Sequence, residues 1–275
     1  MPVSGAASSA EFDRYAGRAL YGTDPAAYAA GRPEYPEAIY EALRYRCDLR
    51  EGTRVLEIGP GTGLATRRTV SLGAVVTCVE PNVALAAFLN QRMPDANLNV
   101  VVSAFEDATL PDGAFDLAVA ATSFHWVDQR VGLAKLRRVL RPGGHVAIWW
   151  MLFDDPTTVD SFDVALESVL GPPVQIVEPG RPPFQLDTEA RCADLRRAGF
   201  VEVRSDILHT EYRFDADSIR ALYATMAIVL QRPPRERAHV LDAVQALVER
   251  DFDGAIARSF VTALYTARAP AVSKM

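Results

Sequence analysis

One segment constrains the fold of this chain more than any other, a short apolar run that ends in three glycines. Residues 55–58 (VLEI) have the composition of a buried strand, and Gly59, Gly61 and Gly63 follow at alternate positions before a helical pattern begins at Leu64. Glycines at a strand-to-helix turn permit a tight bend and let a ligand approach the bare backbone. An ordinary turn does not need three alternating glycines, so this segment predicts a ligand site.

The chain beyond residue 53 alternates short apolar strands with helical stretches. Strands that are nearly continuous apolar runs are typical of a parallel sheet covered by helices on both faces. The alternation therefore predicts an α/β fold with a doubly wound, mostly parallel sheet of seven strands. The predicted strands are 54–58, 75–79, 99–102, 115–121, 145–150, 201–214 and 256–268. The predicted helices are 64–72, 84–92, 132–140, 159–170, 217–230 and 237–252. A further helix is predicted within 188–200, where Gly199 terminates it.

Composition and charge exclude several functional classes. The 29 basic and 35 acidic side chains give a net charge of −6, which argues against general affinity for nucleic acid. Three cysteines in no CxxC pair predict neither a disulfide framework nor a zinc site, and they favour a reduced setting. Residues 1–13 lack the features of a signal peptide, and the longest apolar run, 146–153, is too short to span a membrane. We therefore expect a cytoplasmic protein with no nucleic-acid or membrane partner.

The glycine spacing distinguishes two cofactor classes. The dinucleotide fingerprint GxGxxG/A fails in both possible registers, because Leu64 or Thr66 occupies its last position. The order E-x-G-x-G-x-G that is present resembles motif I of the class I S-adenosylmethionine-dependent methyltransferases. This resemblance implies a Rossmann-like methyltransferase fold and a site for S-adenosylmethionine. The motif residues expected to bind the cofactor are Glu57, Gly59, Gly61 and Gly63.

Glu80 follows the second predicted strand, 21 positions after Gly59. A carboxylate there can accept hydrogen bonds from both ribose hydroxyls, and one strand-to-strand crossover needs about 20 residues. Alone, Glu80 would be interpreted as a surface residue at a strand end, but after motif I it predicts ribose binding. The resemblance implies that Pro81 and Asn82 pass around the edge of the adenine.

The third predicted strand ends in the sequence SAFED, residues 103–107. Related methyltransferases place an adenine contact at this point, and Ala104 stands where they frequently carry Asp. The adenine amine must then be met by the backbone or by Glu106. Phe105 is either an apolar neighbour of the adenine ring or a residue of the core.

The sequence ATSFHWVD, residues 121–128, follows the fourth strand, where open α/β sheets bind ligands. We expect Thr122 to contact the cofactor and Trp126 to line the acceptor pocket. His125 is the candidate catalytic residue, either as a general base or as an element of shape and hydrogen bonding. Methyl transfer depends chiefly on alignment and a deprotonated nucleophile, so a carboxylate acceptor would need no base.

The motif Y-x-x-x-R-P-x-Y-P at 28–36, together with FHW, resembles the branch of trans-aconitate and juvenile-hormone-acid methyltransferases, which methylate carboxyl oxygens. The four tyrosines from Tyr21 to Tyr40, with Arg32 among them, favour a helical N-terminal cap or lid at 11–50, after a small, polar tail at 1–10 that we expect to be disordered. Tyr28 and Arg32 would close over the methionine end of the cofactor, where Arg32 could pair with its carboxylate. The other interpretation of Arg32 is a solvated side chain at a helix end. Tyr35 is expected in the acceptor pocket.

Two predicted excursions from the sheet, 151–187 and 215–253, are expected to enclose an acceptor with the N-terminal cap. The first is rich in proline, and the second carries Tyr223 and Met226 at helical spacing. These two side chains belong either to the acceptor pocket or to the core. The remaining predicted units are the cofactor-binding core at 51–150 and the sheet segments at 188–214 and 254–270.

The resemblance implies an enzyme that moves the methyl group of S-adenosylmethionine to a small, partly apolar acceptor, through O-methylation of a carboxylate or hydroxyl. The alternatives are C- or N-methylation of a small metabolite and a catalytically idle S-adenosylmethionine-binding protein with the same fold. A nicotinamide oxidoreductase is disfavoured by the glycine spacing. No catalytic metal is predicted, because Asp, Glu and His show no ligand spacing. A monomer or homodimer is expected.

Overall fold

The fold was obtained as a computed structural model, which describes residues 21–94, 97–158, 160–171 and 182–271. The predicted tail at 1–10, the start of the predicted cap at 11–20 and part of the proline-rich excursion lie outside the described residues. No helix within the described ranges is long and apolar enough to cross a bilayer.

Seven strands form one sheet, as the alternating sequence pattern predicted. They are β1 (Arg54–Ile58), β2 (Val75–Glu80), β3 (Leu98–Val102), β4 (Phe115–Ala121), β5 (Leu140–Leu152), β6 (Val201–Asp215) and β7 (Ala255–Arg268). Their order is β3-β2-β1-β4-β5-β7-β6. The first five strands pair in parallel, whereas β7 runs antiparallel to both β5 and β6. The order reverses between β1 and β4, which places the ligand crevice at the carboxyl ends of these strands.

Strand β5 is longer than the sequence predicted, because it begins at Leu140 rather than at residue 145. The sequence LRPGG at 140–144 was expected to end a helix and form a turn. Leu140 instead pairs with Phe115 before a shift in register. The amide of Gly143 and the carbonyl of Gly144 both bond the backbone of Ala269. Hydrogen bonds to Ala269, the residue after β7, thus extend the strand into this segment.

The helices cover the two faces of the sheet and its carboxyl edge. They are α1 (Pro25–Gly31), α2 (Glu37–Arg46), α3 (Leu64–Ser71), α4 (Val83–Arg92), α5 (Gln129–Val139), α6 (Ser161–Leu170), α7 (Thr188–Arg197), α8 (Ala216–Tyr223), α9 (Ala227–Leu230) and α10 (Pro234–Asp251). A 3-10 turn at Phe124–Trp126 follows β4. Side-chain caps begin several helices; Asn82, for example, accepts hydrogen bonds from Ala84 N and Leu85 N at the start of α4.

The single helix predicted over 217–230 is wrong, since the structure divides it into α8 and α9. The break lies at Thr225, whose hydroxyl donates to the carbonyl of Leu222. Threonine hydroxyls compete in this way with the backbone pattern of a helix. The break leaves the Thr225 carbonyl available, and the Arg32 side chain donates to it at 2.9 Å.

Helix α2 belongs to the core and does not form the lid that the tyrosine-rich N-terminal segment suggested. Ile39 and Leu43 are completely buried, and Tyr40 is 2% exposed. These side chains pack with buried residues of β1, β2 and β5 on one face of the sheet. The lid expectation is therefore wrong for Tyr40, because its helix presents an apolar face that the sheet covers.

The two predicted excursions pack against each other through α6, α8 and α10, which share a core cluster. One buried cation joins this layer to the sheet. Arg258 of β7 is 3% exposed, and its Nη1 donates to both carboxylate oxygens of Asp160 at 2.9 Å. Its Nη2 lies 2.6 Å from Asp163 Oδ1. Asp160 and Asp163 also form the capping box that begins α6.

We expect the double substitution Asp160→Asn and Asp163→Asn to lower the free energy of unfolding by about 3 kcal/mol, because it leaves a buried guanidinium without its counter-charges. Because asparagine can still cap the helix, the decrease in the free energy of unfolding reports the loss of the ion pairs and not the loss of the cap. Urea denaturation measures the effect. The matched change Glu167→Gln, at an exposed position of the same helix, should be nearly neutral. A double variant as stable as the wild type would contradict this role of Arg258.

Candidate cofactor and acceptor site

A cavity of about 340 Å³ lies where β1, β2, β4 and β5 end. Its position agrees with the rule that open α/β sheets bind ligands beyond the carboxyl ends of their strands. Many of the residues that the sequence singled out come together around it. These are Tyr28, Arg32, Tyr35, Gly59, Gly61, Glu80, Thr122, His125, Trp126 and Met226.

The glycine turn leaves its middle position open to the cavity. Gly61 has a φ of +59°, and a Cβ atom built on it would meet nothing within 4 Å. At Gly63 the constraint is packing, since a Cβ atom placed there would lie 2.5 Å from Leu89 Cδ1. Gly63 does not line the cavity, because it packs on α4. Gly61 is the glycine that leaves room for a ligand next to the backbone.

The Glu80 carboxylate is fixed by two backbone amides at the cavity wall. Its Oε2 accepts a hydrogen bond from Gly61 N at 3.1 Å, and its Oε1 accepts one from Asn82 N at 2.9 Å. The residue is only 4% exposed. A carboxylate retains further lone pairs after two such bonds, so Glu80 can accept hydrogen bonds from ligand hydroxyls.

Glu57 lies beneath the glycine turn, without any exposed surface. The Cys78 thiol donates to its Oε2 at 3.9 Å, and its Oε1 has no hydrogen-bond partner within the described ranges. Burial raises the pKa of Glu57 to about 7. Glu57 therefore does not line the cavity as the sequence suggested, but it provides a partly unsatisfied acidic group below it.

Arg32 lies at the cavity wall, so the interpretation as a solvated side chain is wrong. Its guanidinium carbon is 4.8 Å from the ring centre of Tyr28 and 4.3 Å from that of Phe153. Its Nη2 donates to Thr225 O, whereas its buried Nε has no partner among the described residues. A guanidinium held between two rings with a free donor can receive a carboxylate.

Tyr35 and Thr122 form a hydrogen-bonded pair in the cavity wall. The Tyr35 hydroxyl donates to Thr122 Oγ1 at 3.1 Å, and the same oxygen accepts from Met151 N at 3.3 Å. Thr122 has a φ of +52°, an uncommon value for a residue other than glycine. Burial raises the pKa of Tyr35. This phenol is consequently a hydrogen-bond donor and not a base near neutral pH.

His125 is held by two tryptophans. Its Nδ1 is 3.0 Å from the indole Nε1 of Trp150, and its ring centre is 4.7 Å from that of Trp126. Burial lowers the pKa of His125 to about 4. The imidazole is therefore neutral at physiological pH.

Five other predicted site residues do not line this cavity. Asn82 caps α4, and no contact places Pro81 at the wall. Phe105 is 2% exposed in the main core, so the core interpretation holds for it in this structure. Glu106 Oε1 accepts a hydrogen bond from Asp128 N at 3.0 Å. Tyr223 packs on Phe162 in the core cluster of α6, α8 and α10.

The sequence analysis missed several residues of the cavity wall. Met151 and Phe153 follow the predicted fifth strand, so the strand-end rule that selected His125 could have found them. Gln185 comes from the proline-rich excursion, and nothing in its sequence context indicates its position. Within the described ranges, no three His, Cys, Asp or Glu side chains are placed to hold a metal ion.

We expect Glu57→Gln to stabilise the protein increasingly as the pH rises from 4.5 to 8. The unfolded chain ionises its glutamate near the usual value of 4.5, whereas the folded chain does so only near 7. The free energy of unfolding of the wild type therefore falls by about 3 kcal/mol over this interval, whereas that of the variant does not. Denaturation at several pH values measures the difference.

The control for this prediction is Glu41→Gln, which removes an exposed carboxylate from α2. Its stability difference from the wild type should stay within about 0.5 kcal/mol throughout. A pH-independent effect of Glu57→Gln would show that burial does not keep this carboxyl group protonated.

Comparison with known proteins gives consistent matches. Residues 56–148 match the methyltransferase domain family. An uncharacterized methyltransferase of Schizosaccharomyces pombe is 25% identical over 218 residues, 78% of this chain and 81% of that protein. Another uncharacterized methyltransferase, from Mycobacterium tuberculosis, is 33% identical over 135 residues, 49% of this chain and 53% of that protein.

The fold is also similar to phosphoethanolamine N-methyltransferase 2 of Haemonchus contortus, solved with phosphomonomethylethanolamine and S-adenosylhomocysteine. The TM-score is 0.56 at 15% identity, covering 90% of this chain and 57% of that one. The resemblance to the trans-aconitate and juvenile-hormone-acid branch stays a prediction. Residues 56–148 are therefore similar to methyltransferase domains, and the sheet that contains them has a fold similar to that of a solved methyltransferase.

Proposed function

We propose that the protein transfers the methyl group of S-adenosylmethionine to an oxygen of a small, partly apolar acceptor, either a carboxylate or a hydroxyl. The observation that carries the proposal is a single cavity with two chemically different ends. Gly61 and Glu80 form a polar end, whereas Trp126, Phe153 and Met226 contribute rings and a thioether to the other. Ligand sites commonly combine a mostly apolar wall with a few placed polar groups.

The polar end fits the cofactor. The Glu80 carboxylate, fixed by two backbone amides, accepts hydrogen bonds from ribose hydroxyls. The open space at Gly61 admits the cofactor next to the backbone. Arg32, at the cavity wall, would pair with the methionine carboxylate through its guanidinium.

The aromatic end aligns the acceptor and excludes water. Tyr28 and Tyr35 approach from the N-terminal segment, Met226 from the junction of α8 and α9, and Phe153 from the end of β5. When bound, S-adenosylmethionine would supply an electrophilic methyl group to a lone pair of a carboxylate, or of a hydroxyl that has already lost its proton to solvent, while the carbon–sulfur electron pair stays on sulfur. The side chains accelerate this displacement through alignment and a water-poor environment.

Calorimetry with S-adenosylhomocysteine, with NAD as the negative comparison, tests cofactor binding. Incubation with S-adenosylmethionine and a metabolite pool then tests turnover, as a mass increase of one methyl group in an acceptor. Binding without any methylated product would favour the catalytically idle protein. Binding of NAD in place of S-adenosylhomocysteine would contradict the proposal.

We expect Gly61→Val to weaken S-adenosylhomocysteine binding by at least about a hundredfold, because the side chain fills the space that the cofactor requires. The matched control is Gly254→Val. Gly254 has a φ of +80°, and a Cβ atom placed on it would also meet nothing within 4 Å, but it does not line the cavity. Both variants carry similar backbone strain of about 1–3 kcal/mol, measured by thermal unfolding. Unchanged binding in folded Gly61→Val protein would refute the motif I assignment.

We expect Glu80→Ala to weaken S-adenosylhomocysteine binding by about 1–3 kcal/mol, the usual scale of hydrogen bonds to a charged group. Calorimetry measures the change in dissociation constant. Glu202→Ala is the control, since Glu202 pairs with Arg268 at the other end of the sheet and should not affect binding. An unchanged dissociation constant for Glu80→Ala would place the ribose contact elsewhere.

A further inference from the structure

Trp150 determines which nitrogen of His125 carries a hydrogen. An indole N–H can only donate a hydrogen bond, and that of Trp150 is directed at His125 Nδ1 at 3.0 Å. Nδ1 must therefore be the acceptor. A neutral imidazole has one hydrogen on its two ring nitrogens, so this hydrogen lies on Nε2.

Packing keeps the indole in this orientation. Trp150 belongs to β5 and is 2% exposed. Its ring makes edge contacts with Phe184 at 5.7 Å and with Tyr265 at 5.8 Å between centres. The Tyr265 hydroxyl in turn donates to the carbonyl of Gln185 at 2.8 Å. A buried ring with contacts on β7 and on the first excursion cannot reorient without disturbing both.

The second nitrogen of His125 is available to a ligand. His125 lines the cavity, whereas Trp150 does not. Nε2 makes no hydrogen bond with any residue of the described ranges. The wall therefore offers a neutral N–H donor at the end of the cavity that also contains Trp126.

We propose that Trp150 is a positioning residue that fixes His125 as a hydrogen-bond donor, and that the methyl acceptor places a lone-pair atom against His125 Nε2–H. This inference rests on the proposed methyl transfer. It assigns His125 a role in alignment, because a nitrogen that already carries hydrogen cannot remove a proton from the acceptor.

The other ionisable groups of the cavity do not alter this assignment. Glu80 is held by two amides, and burial raises the pKa of both Tyr21 and Tyr35. Among the described residues, Tyr28 and Arg32 are the other ionisable side chains at the wall. Burial is the cause of the lowered pKa of His125. We therefore expect His125 to keep one tautomer across the physiological pH range.

The test is nitrogen NMR of protein labelled with ¹⁵N-histidine and free of ligand. Wild-type His125, identified by its loss in His125→Gln, should show a protonated Nε2 and a bare Nδ1, without titration between pH 6 and 8. Trp150→Phe keeps a packing ring but removes the donor. It should give a mixture of tautomers and raise the titration midpoint by about one pH unit. A hydrogen on Nδ1 in the wild type, or an unchanged spectrum in Trp150→Phe, would overturn the proposal.

Two variants of His125 separate a donor from a base in turnover. Glutamine places an amide N–H near the position of Nε2 but cannot act as a base, whereas leucine offers neither function. We expect His125→Gln to retain kcat within about tenfold and His125→Leu to lose about a hundredfold, the scale for one lost donor. Equal inactivation, with a wild-type rate that rises through pH 6–7, would indicate a base and overturn the proposal.

Binding of S-adenosylhomocysteine separates failure of this inference from failure of the proposed function. Trp150→Phe and His125→Gln should bind it with dissociation constants within about twofold of the wild type, because neither contacts the polar end. If the wild type itself does not bind it, the methyltransferase proposal fails. The NMR experiment would still report the tautomer that Trp150 imposes.

Discussion

The hydrogen bond from Gly61 N to Glu80 joins the two loops on which the cofactor end of the cavity depends. One loop follows β1 and the other follows β2, and the parallel pairing of these strands brings their ends to the same edge. A buried carboxylate needs such donors, because an unpaired charge at 4% exposure would be costly. The amides of Gly61 and Asn82 hold the carboxylate at the cavity wall. These hydrogen bonds therefore fix both the glycine turn and the orientation of the Glu80 side chain.

The part of the cavity wall around Arg32 depends on contacts between distant segments. Arg32 bonds the carbonyl at the break between α8 and α9 and lies against Phe153 at the end of β5. Three separate parts of the chain thus meet at one guanidinium. A partly buried cation with several contacts is a stronger junction than the exposed ion pairs Arg67–Glu34 and Arg68–Glu37, which contribute little individually. Arg32 thus contacts residues of both excursions.

The aromatic wall has two kinds of hydrogen-bonding group. Tyr35 is satisfied by Thr122, and His125 is satisfied on one side only, by Trp150. Burial keeps both groups neutral, since it raises the pKa of the phenol and lowers that of the imidazole. A displacement at a methyl group requires orientation more than proton transfer, and neutral fixed donors suit that requirement.

The sequence alone determined the doubly wound sheet, the glycine turn and the acidic residue after β2. These features follow from local patterns, because apolar runs and glycine spacing report directly on strands and tight turns. Strand order then brings Gly61, Glu80, Thr122 and His125 to one edge. Only the tertiary structure decided which side chains turn towards the cavity. Tyr40 and Tyr223 lie in the core although they belong to the same predicted segments as Tyr28 and Met226, which line the cavity. Trp150 orients His125 although nothing in its sequence context indicates a partner. Burial and pairing depend on contacts between segments far apart in the chain, which no local pattern records.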